Sequence, residues 1–226
     1  MPSDHGVDLI VYGDFNCPYS ALASARVSHL EQLGRANVDW RAVEHAPDIT
    51  LAGNDVAGEP RLTLERELDQ IRSLLTAGEP DQLTLPTLQP NTNLATAAYA
   101  ATPAAARPTM RARLFAAHWI EGSDLGDSDT LARLGVPRTD RSTAARWRSQ
   151  WLALTEPIVP MMVLPDGYVS RGLGALARLA QLAEDQHRAD TRDAGGTDVA
   201  RTRVTDPAEL GGESPCFAHL LDGLVD

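Results

Sequence analysis

The chain contains no lysine: each of its 20 basic residues is arginine. That excludes a Schiff-base or general-base lysine. Cysteine is nearly as scarce, with only Cys17 and Cys216, near opposite ends of the sequence. Two are too few for a cysteine-built zinc site, and a structural disulfide between them is not expected in a reducing cytoplasm. The six histidines show no HExxH-like spacing, so no metal site is expected. Long apolar runs are missing too; none approaches the roughly 20 residues that cross a bilayer. The N-terminal MPSDHGVDLI has no basic segment leading into an apolar one, so no secretory signal is expected and the expected location is the cytoplasm. Positive charge is in deficit. A net charge of -11 argues against nucleic acid or an anionic membrane as the main partner.

What is present suffices for a core, since 43% of the 226 residues are hydrophobic. VDLIVYG at residues 7–13 suits a buried strand. Leu22, Val27, Leu30 and Leu33 then recur at helical spacing after Pro18, and Gly34 supplies the stop. A second strand is predicted at Val38–Glu44, then a loop over 46–62. Residues 63–153 show only helical periodicity, in segments near 63–77, 93–102, 108–121, 127–134 and 140–153. Thr63 and Asp140 are candidate N-caps, and Trp147 and Trp151 share one helix face, where core packing is expected. Strand character returns at Val159–Leu164, followed by the turn PDG and YVSRG as a hairpin, then a helix over Leu173–Ala183. From Arg188 onward the chain is rich in charge and poor in apolar residues until CFAHLLDGLV. The expected organisation is a discontinuous α/β domain from 1–60 and 155–187, an inserted helical subdomain over 61–154, and a flexible tail over 188–226.

The candidate chemistry sits in FNCPYS at residues 15–20. Only the thiolate of cysteine is a nucleophile, and a helix N-terminus favours it through unpaired N–H groups and the positive dipole end. Cys17 before Pro18 takes that position. Ser20 lies one turn in, where its hydroxyl is placed to donate to the thiolate, though it cannot close a disulfide. Tyr19 either lines the cleft or packs against the helical block. Asn91 and Thr92 either cap a helix of that block or line a ligand groove. Cys216 is either an incidental thiol or one that folds back to resolve a mixed disulfide on Cys17.

DFNCPYSALA, QPNTNLATAAYA, RLFAAHWIEGSDLGDSDTLARLG and IVPMMVLPDGYVSRG together resemble the DsbA-type branch of the thioredoxin superfamily. The likeness is to its FrnE-like oxidoreductases, 2-hydroxychromene-2-carboxylate isomerases and kappa-class glutathione transferases, and it spans residues 7 to about 186. It implies an α/β, thioredoxin-like fold with a large inserted α-helical subdomain. It also implies a cis Pro160, with Val159 presenting its backbone to a ligand across from Cys17, and Pro18 and Tyr19 lining the same site. The function implied is a thiol-dependent oxidoreductase that works through mixed disulfides, with a small thiol replacing the missing second cysteine. Alternatives are a thiol-dependent isomerase or transferase on aromatic or quinone-like substrates, and a non-catalytic binding or chaperone module. No tightly bound cofactor is implied; glutathione or another low-molecular-weight thiol would serve as co-substrate. The partners implied are a small thiol or a thiol-modified protein, and the kappa-class likeness leaves a homodimer open. Two departures from the pattern are Ser20 in place of cysteine and Thr96 in place of histidine.

Overall fold

The apolar run at the start of the chain forms the parallel partner of the next strand. In the computed structural model, which describes residues 6–136 and 138–194 (185–194 by backbone only), β1 spans Val7–Gly13. β2 spans Ala36–Ala42 and pairs with it in parallel from Val7↔Ala36 to Gly13↔Ala42. The crossover is α1, Pro18–Gln32, with proline in its first turn where no N–H is needed. α1 ends in a double cap: Gly34 N–H donates to Glu31 O and Arg35 N–H to Leu30 O, with Gly34 at φ 66°.

The sheet is completed after the helical block. β5, Met161–Val163, runs antiparallel to β1, and β6, Val169–Arg171, follows it through the PDG turn. Strand order is β2-β1-β5-β6. β1 is therefore central, which explains its nearly unbroken apolar sequence. Between β2 and β5 come α2 (Gly58–Leu74), α3 (Asn93–Ala101), α4 (Arg107–Trp119), α5 (Ser128–Arg133) and α6 (Arg141–Leu152). A two-stranded ribbon of β3, Asn54–Asp55, and β4, Leu88–Gln89, lies in the same stretch. It is too short to leave a periodic trace in the sequence.

Two expected boundaries shift. α2 starts at Gly58, so Thr63 lies inside the helix and Ala57 takes the N-cap position. Pro60 reads as a loop signal in sequence, but a proline in the first helical turn gives up no intrahelical bond. The last helix, α7, runs from Gly172 to Ala194, well past the expected end at Ala183 and through residues assigned to the tail. Residues 184–194 contain no glycine or proline and several good helix formers. Lack of apolar residues argues against burial, not against helix. The remainder of the expected tail, with Cys216 and CFAHLLDGLV, lies outside the described residues. Among the described residues no helix is long and apolar enough to cross a membrane.

The core is aromatic where the helical block meets the sheet. Trp40 of β2 and Phe115 of α4 meet edge to face, and Phe115 packs on Phe15, which also contacts Tyr99 of α3. Trp147 and Trp151 are both buried, as their shared face predicts. Asp140 caps α6 through Thr143 N–H as expected. Two buried arginines tie α1 to its neighbours. Arg111 of α4 reaches Ser24, Ser28 and Glu31, while Arg26 reaches Glu79 and the carbonyls of Leu74 and Leu176. Each pairing satisfies a guanidinium that would otherwise be costly to bury.

Candidate functional site

Two parallel strands that end in register deliver their outgoing loops to one edge of the sheet, the usual place for ligand sites in such folds. β1 and β2 end at Gly13 and Ala42, and Val43 N–H donates to Gly13 O at 3.0 Å. After β1 the chain turns through Asp14–Asn16, with Cys17 N–H donating to Asp14 O at 3.1 Å. Cys17 is then the extended N-cap of α1, and its side chain makes no capping bond. Its sulfur therefore meets the positive end of the helix.

The chain on the far side is Val159–Pro160, joined by a cis peptide bond. Cys17 Sγ lies 4.0 Å from Val159 O, a contact across 142 positions of sequence. Pro160 O accepts from Gly172 N–H at 2.8 Å, which ties this segment to the start of α7. Cys17 has no exposed surface, and Tyr19, Ser20 and Val159 are buried with it. Its sulfur cannot be reached without movement of the groups that cover it.

The remaining candidates sort by their hydrogen bonds. Ser20 Oγ accepts from Asp14 N–H at 3.3 Å, so the hydroxyl braces the turn and keeps its own proton to donate. Tyr19 packs against the helical block: its hydroxyl donates to Gln70 Oε1 of α2 at 2.5 Å. Asn91 ties two loops together, accepting from Asn93 N–H in its own and donating to Ile49 O in the loop after β2. Thr92 occupies the N-cap position of α3 without a side-chain capping bond, and its hydroxyl donates to Asp14 Oδ1 at 2.8 Å. Thr92 is therefore drawn to the Cys17 turn, whereas Asn91 serves the loops.

Asp14, the first residue of DFNCPYSALA, and His45 join the site although neither is a candidate from the sequence alone. One oxygen of the buried Asp14 carboxylate accepts twice from His45, from Nδ1 at 2.6 Å and from the backbone N–H at 2.9 Å. The other oxygen accepts from Thr92 and from Asn16 N–H. Burial alone would push the His45 imidazolium down, but the Asp14 hydrogen bond and charge, with smaller contributions from Cys17 and Glu67, push it up to about 9. Burial likewise would raise Asp14, yet His45 and the amides of Asn16 and His45 hold it below the usual carboxylate range. The result is an ion pair beside Cys17. The register of two parallel strands could have revealed it, since Asp14 and His45 each follow a strand end.

Among the described residues no group of three or more His, Cys, Asp or Glu is disposed to hold a metal ion. A groove of about 480 Å³ lies on the sheet face by Ile10, Val38, Trp40, Tyr99 and Arg107. None of Cys17, His45 or Val159 lines it, so its size does not make it the reactive site.

Residues 8–137 match the model of the DSBA-like thioredoxin domain family. Among solved structures, a probable DsbA oxidoreductase from Streptomyces coelicolor superposes with a TM-score of 0.59 at 13% identity, covering 92% of this chain and 97% of its own. The 2-hydroxychromene-2-carboxylate isomerase gives 0.50 at 22% identity, with 83% and 98% covered. The cytosolic disulfide reductase DsbM from Pseudomonas aeruginosa, solved with GSH, gives 0.51 at 17% identity, with 80% and 100% covered. At such identities the likeness speaks for the fold alone. No curated protein matches significantly.

Proposed function

The chain belongs to the DSBA-like thioredoxin domain family, and from that premise we propose that it is a monothiol oxidoreductase of the FrnE-like kind, acting in the cytoplasm on small disulfides. The Cys17 thiolate attacks a disulfide RS–SR, forming Cys17–S–SR and releasing RS⁻. A second low-molecular-weight thiol then attacks the mixed disulfide at the outer sulfur, regenerating the Cys17 thiolate and leaving with that sulfur as a new disulfide. The observation that carries this reading is Cys17 at the N-cap of α1, facing the Val159 carbonyl next to Pro160. Ser20 stands where a second cysteine of the turn would resolve the mixed disulfide, which suits a small thiol for the return step. Its burial favours a compact reactant over a folded protein. Glutathione is the first thiol to try, because the DsbM structure was solved with GSH. Val159 and Pro160 are assigned to hold the incoming thiol, with Ser20 donating to the Cys17 sulfur.

The test is exchange between glutathione and a small hydroxyalkyl disulfide, with the wild-type chain, Cys17→Ser and Ser20→Ala. Catalysis lost in Cys17→Ser, with a glutathione adduct on Cys17 by mass spectrometry, is the expected outcome. Exchange no faster than in buffer, without an adduct, would overturn it. Burial of Cys17 also suits a second reading, a thiol-dependent isomerase or transferase for aromatic or quinone-like substrates. That reading gains if Cys17→Ser binds glutathione as well as wild type does.

A further inference from the structure

Thiol exchange at Cys17 is helped by a cation near the thiolate and by a proton for the thiol that leaves. A resolving cysteine would supply a proton donor next to the sulfur, and this site holds Ser20 there. Lysine is excluded throughout the chain. Arg26 and Arg111 are committed to Glu79 and Glu31, and Arg148 donates to Glu44 O.

We infer that His45, fixed by Asp14, is the charge partner of Cys17: its imidazolium stabilises the thiolate, and its Nε2 proton passes to the departing thiol. The inference rests on the reading of Cys17 as the reacting sulfur. Asp14 O accepts from Cys17 N–H while the Asp14 carboxylate grips both the ring and the backbone of His45. One residue thus positions both partners. With Nδ1 donated to Asp14, Nε2 is the nitrogen left to deliver a proton. Four bonds hold the carboxylate in a buried turn, so the ring has little freedom to turn away.

The charged groups around the ring agree with this role. Asp14 at the end of β1, Cys17 at the start of α1 and Glu67 on α2 all favour the imidazolium. Glu44, next to His45, bonds to Asn93 and is influenced by Arg148 of α6. His118 of α4 is held neutral by burial, its pKa pushed down to about 4, and offers no competing cation. In the reaction Cys17–S⁻ forms the new S–S bond, the old S–S pair leaves on RS⁻, and RS⁻ takes the His45 proton. The attacking thiol of the second half-reaction returns that proton to His45 as it becomes the nucleophile.

The test titrates Cys17 by thiolate ultraviolet absorbance in the full chain carrying Cys216→Ser. His45→Gln is expected to raise the midpoint by about one pH unit or more, a tenfold loss of thiolate at fixed pH. The double variant Asp14→Asn/His45→Gln separates two causes. If it also titrates high, the lost cation is responsible; a return to the wild-type midpoint would show only a stranded Asp14 carboxylate and overturn the inference. A reciprocal measurement needs no change at His45: the pKa of its ring, followed by NMR, should fall in Cys17→Ser. An unchanged ring would overturn the pairing even if His45→Gln failed to fold. A low wild-type midpoint that ignores His45→Gln would sink the pairing and leave the proposed function standing. A wild-type midpoint at about 8.5 or above would sink both.

Discussion

Gly13 is the last residue of β1, and a Cβ built on it would lie 2.4 Å from Trp40 Cζ2 and 3.2 Å from Ser20 Oγ. Trp40 is fully buried between Phe115 and Arg111 and cannot swing aside. Gly13→Ala is therefore expected to cost about 1–3 kcal/mol through overpacking, read from the urea midpoint. A midpoint within error of wild type would mean the strand end yields more easily than its packing suggests. Thr92→Val tests the brace on Asp14 with little change of shape. It strands one carboxylate lone pair and is expected to cost about 1–2 kcal/mol, with His45 titrating at an altered pH. Residues such as Cys17, Ser20 and Val159 are legible in the sequence because local motifs mark them. The pairing of Asp14 with His45 is not, since 31 positions separate them and only strand register brings them together. Ser20 is legible as a site residue, but its acceptance of Asp14 N–H emerges only from the folded turn.

At the scale of elements, α2 is fastened to α1, the helix that Cys17 caps. The Tyr19 hydroxyl on α1 holds Gln70 on α2, and the buried Glu67 of α2 faces the His45 side of the site. At the end of α2 and just past it, Arg26 fastens Leu74 O and Glu79 to α1. Loosening the first contact should expose the sulfur while the second keeps the helix attached. Gln70→Ala and Tyr19→Phe are both expected to speed alkylation of Cys17 severalfold at constant pH, measured on the Cys17 peptide by mass spectrometry. Rates equal to wild type in both would place the entry route elsewhere, beside Val159. Strong periodicity makes α1, α3, α4 and α6 readable to within a few residues. The start of α2 is hidden because GEP looks like a loop, and the length of α7 because low hydrophobicity resembles lack of helix. The β3–β4 ribbon is a product of tertiary packing alone.

For the whole molecule, the two buried histidines set opposite limits on stability against pH. His118, fully buried, has its pKa lowered from 6.5 to about 4 by desolvation, against which the Ser123 carbonyl pulls weakly. Between those values the unfolded chain binds a proton that the native chain refuses, so stability falls as pH drops from 6.5 toward 4. His45 is raised from 6.5 to about 9 by Asp14 against its own desolvation. There the native chain keeps a proton that the unfolded chain releases, so this contribution is complete below 6.5 and lost as pH rises through about 9. Each limb is worth on the order of a few kcal/mol, by the conversion of about 1.4 kcal/mol per pH unit. Self-repulsion at a net charge of -11 steepens the alkaline limb. Stability from urea unfolding should therefore peak near pH 6.5 and decline on both sides. His118→Phe should flatten the acid limb and leave the alkaline one, while His45→Gln should flatten the alkaline limb. A wild-type curve still rising at pH 9 would show that His45 enters the folded site uncharged, and the ion pair beside Cys17 would have to be abandoned.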